Sequence, residues 1–269
     1  MLQIAAFMKR LIALSFLALL ATNAVHAETV TLKTSSNFGA SLSFYRYEEP
    51  DFMSLTGGKV GLDISSIKVL KRGLFIRGDL RYAFGTVDYN SNSTGSSSGE
   101  LDWYTDARGL IGKGWGFNNM FFAGYTGFGY RFLFHDGRSI SSTGAGGYRR
   151  ESNYFYAPIG VINRTHIIDH AILVSNLEYD HLLSGKQVSK LSDAGQGYSN
   201  VTNSQTKGYG LKLSIMYEKD KWMVGPYAHY WNINDSDFAL VYQNGIPVGT
   251  GQEPRNNTVE FGLKVGQQF

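Results

Sequence analysis

Five histidines follow His26 in this chain: His135, His166, His170, His181 and His229. They are the residues whose type suits acid–base chemistry, which needs a partner within hydrogen-bond reach. Two carboxylates adjoin them, Asp136 beside His135 and Asp180 beside His181. Both pairs sit in, or at the end of, alternating runs that read as strands, where neighbours point to opposite faces. Asp180 and His181 therefore share no site unless a bulge intervenes, and His135 meets Asp136 only if its strand has already ended. A serine nucleophile needs a histidine at its side. Ser175 shares a face with His181, yet the intervening strand spans about 20 Å. His229 lies on one face with Tyr227 and Trp231 and reads as a packed or hydrogen-bonded residue. His166 and His170 read as solvated turn residues. Cysteine is absent, and no histidine or carboxylate cluster has metal-ligand spacing. No metal or cofactor is expected. Gly124, Gly127 and Gly129 imitate a glycine-rich loop, but on a strand they permit bending or close packing. The expectation is no catalytic constellation, hence not an enzyme.

The elements that hold these residues have period two. Runs at Phe38–Tyr47, Gly58–Ile67, Leu74–Tyr89, Leu101–Lys113, Met120–His135, Asn153–Arg164, Ala171–Leu183, Tyr209–Tyr217 and Trp222–Ile233 alternate apolar with polar residues. The last stretch of chain makes a tenth. Connections near 71–73, 114–119, 165–170 and 218–221 are short. Those near 48–57, 90–100, 136–152, 184–208 and 234–257 are long and polar. The Ser91–Gly99 run is low in complexity and reads as a mobile loop. An even strand number returns both ends to one side. High aromatic and glycine content (17 Tyr, 17 Phe, 32 Gly) with only 5 Pro suits pleated strands and close backbone approach.

The polar face carries opposite charges in equal number. Its acids are Asp63, Asp79, Asp102, Asp106, Glu178, Asp180 and Glu260; its bases are Lys59, Arg77, Arg81, Arg108, Arg131, Lys212 and Lys264. If this face lines a narrow lumen, pairing offsets the desolvation cost of each charge. A conducting pore more often carries a ring of one sign. The apolar face holds Phe44, Tyr82, Phe84, Trp103, Phe128, Tyr130, Phe132 and Trp222, many near strand ends, where Trp and Tyr favour a membrane boundary. A soluble sandwich would bury that face; a membrane barrel turns it to lipid.

The two ends of the chain agree. Lys9 and Arg10 precede an apolar run, Leu11 to Ala21, and Val25-His26-Ala27 has the small-residue pattern of a cleavage site before Glu28. The run falls short of the about 20 residues that span a bilayer. The expected division is a signal peptide at 1–27 and one barrel domain at 28–269. The net charge of +3 includes Lys9 and Arg10, so the mature chain is too weakly charged to suggest nucleic acid. At the other end Phe261, Leu263, Val265 and the terminal Phe269 share a face, interrupted by Gln267.

An exported chain ending in an amphipathic strand with a terminal aromatic resembles the bacterial outer-membrane β-barrel proteins, whose last strand carries the assembly signal. The resemblance implies an all-β, antiparallel up-and-down transmembrane barrel of about ten strands in the outer membrane of a Gram-negative envelope. It implies outer-membrane lipids, lipopolysaccharide and the barrel-assembly machinery as partners, and a monomer. Small barrels of the opacity and Opc-like adhesin type bind host molecules through their loops. By that likeness the function is binding of a surface or host ligand, with Tyr148, Arg149 and Arg150 as loop candidates. A small porin is the first alternative. The ten strands also resemble the omptin proteases, whose site resembles an Asp-Asp pair facing an Asp-His pair, but the split of Asp180 from His181 disfavours that second alternative.

Overall fold

The computed structural model describes residues 30–269 apart from Asn118, Asp169 and His170. The expected signal peptide and its cleavage site lie outside these residues, as does His170. Thirteen strands follow one another: β1 Ser35–Glu49, β2 Met53–Val69, β3 Leu74–Ser91, β4 Gly95–Phe117, β5 Met120–Asp136, β6 Arg149–Ile168, β7 Ala171–Ser189, β8 Val201–Gln205, β9 Gly208–Lys219, β10 Trp222–Ile233, β11 Phe238–Gln243, β12 Ile246–Gln252 and β13 Asn256–Gln268. Ten of them close a barrel. Each pairs antiparallel with the next, β7 passes to β9 and β10 to β13, and β13 closes onto β1. Full closure leaves no barrel edge unpaired. At the seam, the Phe269 amide donates to the Ser36 carbonyl at 2.9 Å, and the Ser36 amide donates back to Phe269 at 3.0 Å.

Alternation assigns the two faces. Leu42, Phe44, Leu80, Tyr82, Leu263 and Val265 are exposed on the outside, while Ser41, Lys59, Arg81 and Glu260 between them are buried inside. A water-soluble barrel would bury the apolar set; here the charged set is buried, as a lipid-facing exterior requires. Tyr82, Trp103, Phe132 and Phe134 form one outer aromatic cluster, with ring centroids 5.3–5.7 Å apart from Trp103. Trp115, Phe117, Phe122 and Trp222 stand exposed towards the end that carries Ser35 and Phe269. Trp103 and Trp115 are twelve residues apart on β4, or about 30 Å along the axis of a tilted barrel. That separation matches an apolar band bounded by two girdles.

The loops depart from expectation. The Ser-rich run is not a loose loop: β3 and β4 stay paired to Ser91 and Gly95, with Asn90 opposite Ser96. Ladder hydrogen bonds satisfy this backbone whatever the side chains, and serine alternates there without conflict. The 48–57 connection shrinks to a turn at 50–52. The 184–208 segment contains the end of β7 and all of β8, which extends the sheet beyond β9. The 234–257 segment is mostly the hairpin β11–β12. Its turn is Asn244-Gly245, both at positive φ (52° and 80°), the geometry for which that dipeptide is favoured.

Bulk inside the bore is accommodated by glycine. A Cβ on Gly129 would sit 2.2 Å from Tyr156 Cζ, and one on Gly160 would sit 2.2 Å from Tyr125 Cζ. Tyrosines from neighbouring strands pack against these positions, which only glycine leaves room for.

Candidate functional site

The interior divides into layers along the axis. At the end carrying Ser35 and Phe269 the floor is apolar: Ile67, Phe75, Leu110, Phe121 and Ile162 enclose Val30, which is 2% exposed, with Leu32 packed beside it. The chain thus enters its first strand by way of its own lumen. The charged face does not extend to this end of the lumen. Phe75 and Leu110 are in phase with Arg77 and Arg108, and that phase was the available signal.

Above the floor the charges meet. Lys264 Nζ lies 2.8 Å from Asp63, which Arg81 also contacts at 2.7 Å. Arg77 and Arg108 share Asp79 at 2.7 and 2.8 Å. Arg108 reaches three strands across the bore to Glu178. Arg81 crosses from β3 to Glu260 on β13 at 2.7 Å and donates hydrogen bonds to the Tyr104 and Tyr227 hydroxyls. Lys212 stands among Asp106, Glu178 and Asp180 at 3.2–3.4 Å. Arg131 is 3.8 Å from Asp106 and stacks over Tyr104, 4.0 Å from the ring centroid. The Tyr156 hydroxyl donates to Asp106 at 2.5 Å. The structure therefore brings together all fourteen charges of the expected lumen set, with Lys59 paired to Asp102. Strands three apart in the ring are thus joined by side chains across the bore.

His135 belongs to this filling. Its two nitrogens lie 2.9 Å from Glu100 and 3.3 Å from Asp102, both on the neighbouring strand, rather than beside Asp136, which pairs with Arg138. Asp180 is buried inside and His181 is exposed outside, so they form no pair. His229 lies 5.0 Å from Tyr227 in the lumen. His166, expected in a turn, lies in β6 because that strand runs on to Ile168. Among the described residues no group of three or more metal-ligating side chains assembles.

A second cluster closes the opposite end and was missed in the sequence. Arg150, on the far side of the barrel from β1, inserts between Glu49 and Glu253, with Tyr47 hydrogen-bonded to both carboxylates at 3.0 and 3.1 Å. Arg150 was expected as a loop residue open to ligand. It is turned inward instead, because two buried carboxylates need a counter-charge. Arg149 holds Asp193 at 2.7 Å and Tyr148 is half-buried, so the three candidates form no common outer surface. Glu49 could have been found, since it continues the inward phase of Tyr45 and Tyr47. Glu253 lies between β12 and β13, where no periodicity operates.

Two loop carboxylates are perturbed in opposite senses. Hydrogen bonding from Arg149 draws Asp193 down to about 2. Burial, and then the proximity of Glu49, lifts Glu253 to about 7 against the opposing pull of Arg150. An acid whose folded value is raised stabilises the folded form while it is protonated. That contribution is full below the unfolded value, about 4.3, and is lost as pH rises through 7. The β12–β13 connection should therefore resist protease better at pH 5.5 than at pH 8. Glu253→Gln should flatten this dependence; an equally steep dependence in the variant would remove Glu253 as its source.

The hairpin β11–β12 is docked to the rim. Asn203 on β8 donates to the Asp237 and Gly251 carbonyls at 2.9 and 3.1 Å, and the Ser199 amide donates to Tyr242 O at 3.0 Å. Phe238, Leu240, Ile246 and Val248 are left outward, 52–69% exposed.

No family model matches this chain, and no curated protein matches it. Solved structures do. The outer membrane protease OmpT from Escherichia coli aligns over 90% of this chain and 100% of its own, with a TM-score of 0.59 and 11% identity. The transport unit of the autotransporter AIDA-I from Escherichia coli aligns over 93% and 94%, at TM-score 0.39 and 11% identity. A major outer membrane protein from Thermus thermophilus aligns over 86% and 99%, at 0.34 and 12%. The OmpT likeness shows the fold, a closed ten-stranded barrel of the outer-membrane type.

Proposed function

We propose that this protein is an integral barrel of the bacterial outer membrane whose lumen is sealed and whose rim structures bind a surface or host ligand. The end carrying Ser35 and Phe269 faces the periplasm and the β11–β12 hairpin faces outward. The observation that carries the binding role is that hairpin. Four large apolar side chains stand exposed on an ordered, hydrogen-bonded platform, and exposed apolar surface marks interaction sites. In the same reading the protein is not an enzyme and acts as a monomer: His135 is engaged by Glu100 and Asp102, and Asp180 and His181 lie on opposite faces. A small porin is disfavoured by the side chains that cross the bore.

The test is loop replacement in living cells. Short turns replacing 137–148, 190–200 and 236–254 should abolish binding to the ligand or host surface. The variants should still fractionate with outer membranes and show heat-modifiable migration on unboiled gels. Binding undiminished after all three replacements would defeat the adhesin-like reading. A peptidase activity that disappears with His135→Ala or His181→Ala would favour the protease alternative. Removing Phe269 should impair assembly more than shortening the Ser91–Gly99 hairpin.

A further inference from the structure

Between the apolar floor and the Arg81 layer the lumen is not full. A cavity of about 420 Å³ remains, bordered at its mouth by the β9–β10 turn and by residues 30–33. Its volume lies in the range of small-molecule sites. Its lining is two-sided. Ile162, Ile172, Val174 and Met216 supply an apolar wall from β6, β7 and β9. Asn37, Asp63, Arg77 and Lys264 face them from β1, β2, β3 and β13, the opposite arc of the ring.

The polar wall has spare capacity for a negative group. Arg77 and Lys264 are the least covered lumen bases, with side chains 27% and 25% exposed. Each engages a single carboxylate that another arginine already shares, so each retains free N–H donors. Lys33, Lys219 and Lys221 also line the cavity. Three buried atoms on the lining residues lack partners, Asn37 Oδ1, Arg164 Nε and His229 Nδ1, and of these the Arg164 N–H is a donor that an anion can accept from. An unpaired buried polar atom costs free energy that a ligand can recover.

We propose that this cavity is a binding site for a small molecule with one anionic head, a carboxylate or a phosphate, and a short apolar tail. The head lies between Arg77 and Lys264, and the tail lies along Ile172, Val174 and Met216. Arg81, Tyr104, Tyr227 and Glu260 bar passage towards the outer face. The ligand therefore enters and leaves by one mouth, and the site binds without transporting. Only the assignment of that mouth to the periplasm rests on the placement proposed above.

The experiment uses the mature protein in nanodiscs, with hexanoate, hexyl phosphate, hexanol and hexylammonium as probes followed by calorimetry. Empty nanodiscs correct for partition into lipid. One or both anions should bind saturably, at least tenfold more tightly than hexanol, with no binding of the cation. The preferred anion identifies the head. Lys264→Gln should weaken anion binding about tenfold, and Val174→Trp, which fills the apolar side, should abolish it. Heat-modifiable migration checks that both variants keep the barrel. Equal binding of hexanol and the anions, no saturable binding of either anion, or anion binding unaltered by Val174→Trp in a folded barrel would overturn the proposal. Because the assay scores no surface adhesion, its failure leaves the loop-binding reading untouched, and the converse holds too.

Discussion

Replacing Arg108 by alanine will lower the stability of the barrel by about 3–5 kcal/mol. Arg108 is the tie between two arcs of the wall: its Nε lies 2.8 Å from Asp79 on β3 and its Nη1 contacts Glu178 on β7. The three side chains are only 13%, 11% and 0% exposed, so water does little to screen them. Removing the guanidinium leaves two buried carboxylates short of counter-charge, and that penalty exceeds the worth of the pairs themselves. Arg77 still holds Asp79 and Lys212 still holds Glu178, which sets the loss towards the lower end. Denaturant unfolding from lipid vesicles, or the temperature at which the heat-modifiable band shifts, gives the readout. The contrast is Arg46→Ala. Arg46 pairs with Glu48, both 44% exposed, and an exposed pair contributes about 0–1 kcal/mol. Equal effects of the two substitutions would mean that the lumen is wet and the ties across it carry no stability.

Period two exposed the ten wall strands, because one face meets lipid and the other meets charge, and a strand cannot mix them without changing register. The equal number of acids and bases was readable for the same reason. Which acid meets which base was not. Arg108 and Glu178 are 70 residues apart, and only barrel closure brings β4 opposite β7. Strand ends were read too short. Hydrophobic alternation stops where the membrane stops, but ladder pairing does not, so β3 and β4 continue through a serine-rich stretch. The β11–β12 hairpin has a local signal, Asn244-Gly245, inside the long 234–257 connection. The apolar floor around Phe75 and Val30 has no charge to mark it, although Phe75 keeps the phase of Arg77. Glu253 had no signal, since its partner Arg150 is 103 residues away and its own segment has no period.

Whether this barrel is sealed is tested most directly by its conductance. Side chains cross the bore at three levels: Arg108 to Glu178 and Arg81 to Glu260, each pair three strands apart, and Arg150 to Glu49 and Glu253. Tyr104, Tyr156 and Trp231 are buried among them. An ion moving along the axis would have to displace charges already paired in a medium of low dielectric, where separating them is expensive. The mature protein, reconstituted singly into a planar bilayer in 1 M salt, should show no steady openings. The double variant Arg81→Ala, Arg150→Ala removes two of the three bridges and should show flickering currents if it folds, with heat-modifiable migration as the check that it does. A silent wild-type trace is the predicted result; large, stable, ion-selective openings of the unmodified protein would contradict the sealed lumen and make the small porin the better account.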